Sequence, residues 1–336
     1  MTITEGLHPA IRVEGFSPYG QSHGLLRGVL GARRSLRARM REIAPSLVHA
    51  HYLTTAGWHG WLAGRHPFVV TVWGTDVYRN LAHFTGRLQG RLVLGAADLV
   101  TADSADLARA TIAAGAPAGR VRMVQFGVDT ARFAPGRDVT ALRRRLGLYG
   151  RRIVFSPRTI APLYRQLTVL DALAGLPPDV VGLFSAHANR EGELSRLTAR
   201  AAELGLSDRV RILDGIAHDE MADHLTLADV VVSVPESDAT PVTLLEAMAV
   251  GRPIVASDLP SVRALLEPLD PSALVPVGDG AATTRAIAAR LAWDRERARE
   301  IGTRERAFVL EHADHDASMR MVERLYAELA ARRRSS

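Results

Sequence analysis

Asp238 and Glu246 are separated by seven residues in the stretch SDATPVTLLEAMAVGRPIVAS. One carboxylate stands just before a predicted helix and the other about two turns into it. Both can accept hydrogen bonds from hydroxyl groups on either side of the helix N-terminus. The N-terminus itself favours an anion, because its first amide groups lack intrahelical partners and the helix dipole is positive there. Neither carboxylate would hold a phosphate. A diphosphate on the helix end, with a sugar beside Asp238 and a ribose beside Glu246, describes a nucleotide-sugar. Taken alone, one aspartate and one glutamate fit a capped surface helix equally well.

The elements that must position them are legible on both sides. Val230, Val231, Val232 and Val234 form a β-branched run suited to a buried strand. Pro235 to Ala239 reads as a polar loop. Thr240 is the expected N-cap and Pro241 the first helical residue, where its missing N–H costs nothing. Leu244, Leu245, Met248 and Ala249 give the helix an apolar face. Gly251 should end it, and Pro253 prevents its continuation. Ile254 to Ala256 begin the next strand. This is a βαβ unit, and open α/β sheets bind ligands at the carboxyl ends of their strands.

The same stretch resembles the signature of the retaining, nucleotide-sugar-dependent glycosyltransferases of family 4, which have the GT-B fold. That family carries a glutamate, seven residues, then Glu-Ala-Met-Ala and a Gly-x-Pro-Val-Val-Ala-Ser continuation. Here Asp238 replaces the first glutamate and Glu246 matches the second. The resemblance implies that Asp238 contacts the transferred sugar, that Thr240, Pro241, Val242 and Thr243 surround the diphosphate, and that Glu246 holds the ribose hydroxyls. In the loop SPRTIAPLYRQ, Arg158 matches an arginine that clamps the diphosphate in the family. The partner lysine of that clamp is replaced by Leu163, and Arg165, two residues on, is the expected substitute, since a guanidinium binds phosphate bidentately.

Composition sets the outer limits. The chain has 336 residues, 47% of them hydrophobic, enough for two domains with full cores. It has no cysteine, which excludes disulfides and thiolate metal sites. All 42 basic residues are arginine, which excludes Schiff-base chemistry and a P-loop lysine. A net charge of +6 and a pI near 10.3 favour anionic partners. Nucleic acid is not expected among them, because no recognition motif is present and aromatic residues make up only 5%. No G-x-G-x-x-G follows a strand, which argues against a nicotinamide-dependent oxidoreductase. No apolar run reaches membrane-spanning length and no signal-peptide core is seen, so a cytoplasmic location is expected.

The N-terminal half is less regular. Ile11, Val13 and Phe16 suggest a short strand, but the opening βαβ material of the family is not found, so this domain is expected to be shortened. Leu25 to Ile43 reads as a helix with Arg33, Arg34, Arg37, Arg39 and Arg41. Its basic face is solvated or meets an anionic membrane at the inner face. Strands are expected at Leu47–Tyr52 and Phe68–Trp73. Relatives often carry a catalytic histidine where Trp73 stands. Asp76 and His51 are the nearest replacements, with a satisfied strand-end histidine as the plainer reading of His51. Phe126 stands where the family has asparagine, beside Gly127. Ser185 to Ala188 replaces a Gly-rich turn.

The expected fold is therefore α/β: GT-B, two Rossmann-like domains with parallel sheets facing across a cleft. The boundaries are residues 1–140 for a shortened acceptor-side domain, 150–310 for the donor domain, and 316–332 for a C-terminal helix packing back on the first. The expected activity is metal-independent transfer, with retention, from a UDP- or GDP-linked sugar to a hydroxyl on a glycan, lipid or small-molecule acceptor. No cofactor is expected, the nucleoside diphosphate sugar being a substrate. The alternative is an inactive GT-B protein that binds a nucleotide-sugar or a partner enzyme.

Overall fold

The structure, a computed structural model, describes residues 25–186 and 192–334. The strand expected around Ile11 and the turn at His187–Ala188 lie outside these residues. The chain divides into two compact units. One runs from Gly127 to His315; the other joins the chain up to Phe126 with Asp316 onward. The break thus falls at Phe126/Gly127, ahead of the boundary expected at residue 140. The cause is packing: Val128, Phe133, Leu142 and Leu148 are buried in the core of the second unit.

The first unit holds a parallel sheet of β1 (Val48–His51), β2 (Phe68–Thr71), β3 (Leu99–Ala102) and β4 (Val121–Met123), in the order β1-β2-β3-β4. Every residue of β2 and β3 is buried, as expected for parallel strands covered on both faces. Helix His315–Arg334 belongs to this unit through its later residues. Its Met319 and Val322 pack with Val124 and Phe126, and its Leu329 with Val69 and Leu99. Helix Leu25–Ile43 has the expected bounds. Its Arg33 and Arg37 donate to the carbonyls of Leu62 and Ala63, the last of helix Gly57–Ala63, at 3.1 Å each. Two of the five arginines therefore cap a neighbouring helix, while Arg34, Arg39 and Arg41 are exposed.

The second unit is a six-stranded parallel sheet: β5 (Arg152–Ser156), β6 (Val180–Ser185), β7 (Val210–Leu213), β8 (Val230–Ser233), β9 (Ile254–Ser257) and β10 (Leu274–Val275). Its order is β10-β9-β8-β5-β6-β7. From β5 the chain moves outward to β6 and β7, then returns to β8 on the other side. The topological switch point therefore lies between β5 and β8, where such sheets open a crevice for ligands. Both faces are covered. Ile153 and Phe155 enter one core with Leu244 and Met248, while Val154 enters the other with Leu170 and Phe184.

Where the chain enters and leaves this unit, its two segments are tied together. Val128 N donates to Ala313 O (2.8 Å), His315 N to Val128 O (3.0 Å), and Thr130 Oγ1 to Asp314 Oδ2 (2.7 Å). Gly127 makes this approach possible. It has φ 74°, and a Cβ there would stand 2.6 Å from Ala313 O and 2.8 Å from His315 N. Gly127→Ala should therefore cost about 2–4 kcal/mol of stability, from left-handed strain plus overlap with backbone. Gly119→Ala, where nothing lies within 4 Å, is the control. Equal denaturation midpoints for the two variants would refute this.

A buried charge cluster lies at the opposite end of the strands from the crevice. Arg290 Nη2 pairs with Asp270 Oδ2 at 2.8 Å, and Glu305 is 1% exposed. Burial, then the neighbouring Asp270, pushes the Glu305 carboxyl up from 4.5 to about 8. Its contribution to stability is complete below pH 4.5 and is lost as pH rises towards 8. Glu305→Gln should flatten that decline, by roughly 4–5 kcal/mol across the window. Thermal unfolding midpoints against pH test this, and parallel curves for the two proteins would count against it.

Candidate active site

The loops after β5, β8 and β10 converge at the switch point. After β5, Arg158 reaches across to the loop after β8, where its Nη2 lies 2.9 Å from Asp238 Oδ2. The pair is largely enclosed, with side chains 14% and 18% exposed. Arg158 Nη1 also donates to Thr243 Oγ1 at 3.3 Å, and its guanidinium lies 4.2 Å above the Tyr164 ring. Buried Gln166 fixes the backbone beneath: its Nε2 donates to Arg158 O at 2.6 Å, and its Oε1 accepts from Ser156 Oγ at 2.5 Å. Gln166 and Tyr164 were in plain view in the sequence, but nothing in their spacing marked them as supports for Arg158.

The helix that follows Asp238 is Val242–Ala249, one residue later than expected. Pro241, with φ −70° and ψ 113°, is the N-cap, and Thr240 precedes it. The extended ψ of Pro241 is what keeps it out of the helix, although its carbonyl still accepts from Leu244 N at 3.0 Å. Val242 is 40% exposed and Thr243 is half-buried, so this end of the helix presents side chains and amides outward. Asp238 Oδ1 accepts from Ala239 N at 3.0 Å. Burial raises the Asp238 carboxyl above its ordinary range, and Arg158 opposes that rise. Glu246 is 5% exposed, and burial pushes its carboxyl from 4.5 to about 7, again against Arg158.

Arg165 joins this group from the same loop. It holds a left-handed backbone at φ 49°, and its Nη2 is 3.9 Å from Glu236 Oε2. Gly278, after β10, lies so close that a Cβ there would be 3.1 Å from Arg165 Nη1. The loops are also joined by backbone, Glu236 N donating to Leu163 O at 2.8 Å. Six of the expected donor-side positions (Arg158, Arg165, Asp238, Pro241, Thr243 and Glu246) thus come from two loops and one helix at the carboxyl end of the sheet.

The other two expected catalytic residues lie in the first unit and fare differently. Asp76 is 0% exposed and braces two loops, its Oδ2 accepting from Leu53 N and its Oδ1 from Trp73 N, each at 2.9 Å. Burial raises its carboxyl, and backbone N–H groups pull it back. Asp76 thus ties two loops together, a bracing role that the sequence reading did not assign to it. His51 ends β1 with its ring 5.9 Å from Trp73, and burial lowers its imidazole to about 4. It is therefore a neutral ring at physiological pH. His49 belongs to a buried chain, Tyr326 Oη to His49 Nδ1 at 2.5 Å and His49 Nε2 to Thr71 Oγ1 at 2.7 Å. Among the described residues, no group of three or more His, Asp or Glu side chains is placed to hold a metal ion.

The pattern of the "Glycosyl transferases group 1" family matches residues 138–308, which covers the whole donor-side constellation. The chain belongs to the glycosyl transferases group 1 family. The "Glycosyltransferase Family 4" pattern matches residues 4–132. Among curated proteins, this group 1 member is similar to a D-inositol 3-phosphate glycosyltransferase of Geodermatophilus obscurus, at 33% identity over 73% of this chain and 59% of that protein. It is also similar to one from Xylanimonas cellulosilytica, at 29% identity over 94% of this chain and 78% of the relative. The chain thus spans less than two thirds of the length of the first of these. Solved structures with the same fold include sucrose-phosphate synthase from Thermosynechococcus elongatus, with a TM-score of 0.81 and 24% identity over 91% of this chain and 79% of that one. Another is Anabaena HepE in complex with UDP and glucose, with a TM-score of 0.76 and 20% identity over 90% and 82%. The expected GT-B architecture, two Rossmann-like domains with parallel sheets, is therefore established.

Proposed function

We propose that this group 1 glycosyltransferase moves a sugar from a nucleoside diphosphate sugar to an acceptor hydroxyl, with retention and with guanidinium groups carrying the countercharge. One observation carries this reading: Arg158 is held between Asp238 and Thr243 at the N-terminus of helix Val242–Ala249, on the switch point of the sheet. Arg158 and Arg165 face the position a diphosphate would take. They stabilise the charge that develops there as the sugar–phosphate bond breaks, and they do so without moving. Asp238 orients the sugar, and Glu246 accepts from the ribose hydroxyls. Arg165 supplies the second cation where the family pattern has a lysine at Leu163.

HepE has been solved with UDP and with UDP-glucose, which makes UDP-glucose the first donor to try on this chain. Purified protein is incubated with a panel of UDP-, GDP- and ADP-sugars, and release of the nucleoside diphosphate is followed with donor binding in parallel. Release from one donor, lost in Glu246→Ala, is the expected result. Binding with no release in acceptor mixtures would favour the inactive reading. Neither binding nor release would remove the donor-site assignment. The exposed Arg34, Arg39 and Arg41 extend the proposal to peripheral contact with anionic membrane at the cytoplasmic face. Vesicle pelleting that does not depend on anionic lipid would remove that part.

A further inference from the structure

The chain uses one local device twice. Ala118–Arg120 and Ser207–Arg209 are short 3₁₀ turns, and each leads into an edge strand through the sequence Arg-Val-Arg. In the second unit, Arg209 spends two nitrogens on four carbonyls. Its Nε donates to Val180 O at 3.0 Å, and its Nη2 to Leu173 O at 2.9 Å, Pro177 O at 3.0 Å and Leu176 O at 3.2 Å. In the first unit, Arg120 commits Nη1 alone, to Ala97 O at 3.0 Å and Gly95 O at 3.5 Å, at the end of helix Phe84–Ala96. Arg122 also commits only Nη1, to Gly119 O and Val121 O at 2.9 Å each. The Nε and Nη2 groups of both have no partner among the described residues, and both residues are exposed.

These spare donors open on a cavity of about 410 Å³ at the amino ends of β2, β3 and β4. That is the pole of the first sheet opposite the loops that carry His51 and Trp73. One face of helix His315–Arg334 closes it, with Leu325, Glu328, Leu329 and Arg332 at helical spacing. Leu325 and Leu329 make an apolar floor, and Arg332 adds a third guanidinium to the rim.

Two carboxylates share that rim. Asp98 is spent, since its Oδ2 accepts from Phe68 N and pairs with His66 Nδ1, each at 2.7 Å. Glu328 is the exposed acid on the helix side. Three guanidiniums facing one uncommitted carboxylate call for a dianion, and guanidinium forks match the oxygens of a phosphate. The leucine floor calls for an apolar substituent on it.

We infer that this cavity binds a small organic phosphate monoester, its phosphate on Arg120 and Arg122 and its apolar body against Leu325 and Leu329. The site is independent of the donor site and touches no reacting group. Glu328 opposes the ligand and sets how tightly it is held.

Titration calorimetry on the full chain at low salt, with 1-naphthyl phosphate as the probe, tests this. Saturable binding is expected, and inorganic phosphate should bind about fivefold or more weakly because it lacks the apolar body. Arg122→Ala should weaken naphthyl phosphate binding by about tenfold, and adding Arg120→Ala should weaken it further. Arg122 bonds only to its own turn, so the single variant serves if loss of the Arg120 cap prevents folding. Glu328→Gln should tighten binding by about twofold to threefold, through removal of a like charge. Two controls should each stay within about twofold. Arg211→Ala deletes the matching edge-strand arginine of the other sheet, and Arg158→Ala disables the donor site. Absence of saturable binding, or an equal loss in Arg211→Ala, would overturn the proposal. So would a loss in Arg158→Ala with none in Arg122→Ala, which would put the probe on the donor helix. Pelleting with phosphatidylcholine vesicles doped with phosphatidic acid, lost in Arg122→Ala, would identify a lipid headgroup as the source of the phosphate. Naphthyl phosphate binding without such pelleting would identify a free metabolite.

Discussion

Arg158→Ala should lower donor turnover by about 10²–10³-fold in kcat, the usual effect of removing one fixed countercharge from a developing anion. The geometry explains why no neighbour would compensate. Arg158 is held by Asp238, Thr243 and the Tyr164 ring, while Arg165 is engaged separately, by Glu236 and against Gly278. Arg158→Lys should recover only part of the loss, since an ammonium cannot meet a carboxylate and a phosphate in one plane. The alanine variant should also lose about 3 kcal/mol of stability, because it leaves the enclosed Asp238 carboxylate without its cation. Combining it with Asp238→Asn should restore stability but not turnover. Restored turnover in that double variant would mean that the pair is structural only. Steady-state kinetics and denaturant unfolding on the same three proteins decide between these outcomes.

Donor affinity should weaken as pH falls below neutrality. Glu246 is raised to about 7 by burial, so it gains its proton in the range where most carboxylates stay ionised. An ionised acceptor holds the ribose hydroxyls more strongly than a neutral one by about 1 kcal/mol, so affinity should fall roughly fivefold to tenfold between pH 8 and pH 6. The diphosphate of a nucleotide-sugar does not titrate there, since both phosphates are diesters. Glu246→Gln should bind weakly at both pH values with a flat profile. Stability runs the other way: the contribution of Glu246 is complete below pH 4.5 and is lost as pH rises through about 7. Calorimetric Kd values and unfolding midpoints over the same pH range should therefore slope in opposite senses. A flat wild-type Kd would sink the assignment of Glu246 to the ribose.

The second unit was legible because parallel strands buried on both faces appear as short β-branched runs between turn residues. β9 begins at the residue expected, and β8 falls within one residue of the valine run. Helices without an apolar stripe escaped. Phe84–Ala96 contains Gly86, Gly90 and Gly95, and a Cβ on Gly90 would come 2.6 Å from Leu81, so its helix is held by close packing rather than propensity. Arg295–His312 is rich in arginine and glutamate and buries only Gly302, Glu305 and Val309. The site divides in the same way. Asp238 and Glu246 are read from one continuous segment. Their link to Arg158 depends on which strands neighbour each other, and the strand order reverses at β5. The bracing role of Asp76 was not legible because the two amide groups that engage it lie in separate loops.

One unit is an insert within the other, and this bears on how the protein is made. Gly127–His315 is a continuous piece of chain, whereas the first unit is completed only by residues from Asp316 onward. During synthesis the donor unit can close as soon as His315 has left the ribosome. Until helix His315–Arg334 follows, Val69, Leu99, Val124 and Phe126 lack the Met319, Val322 and Leu329 that cover them. The half of the protein translated first is thus the half that matures last, and splitting the gene at residue 126 would yield an N-terminal product with an open apolar sheet face.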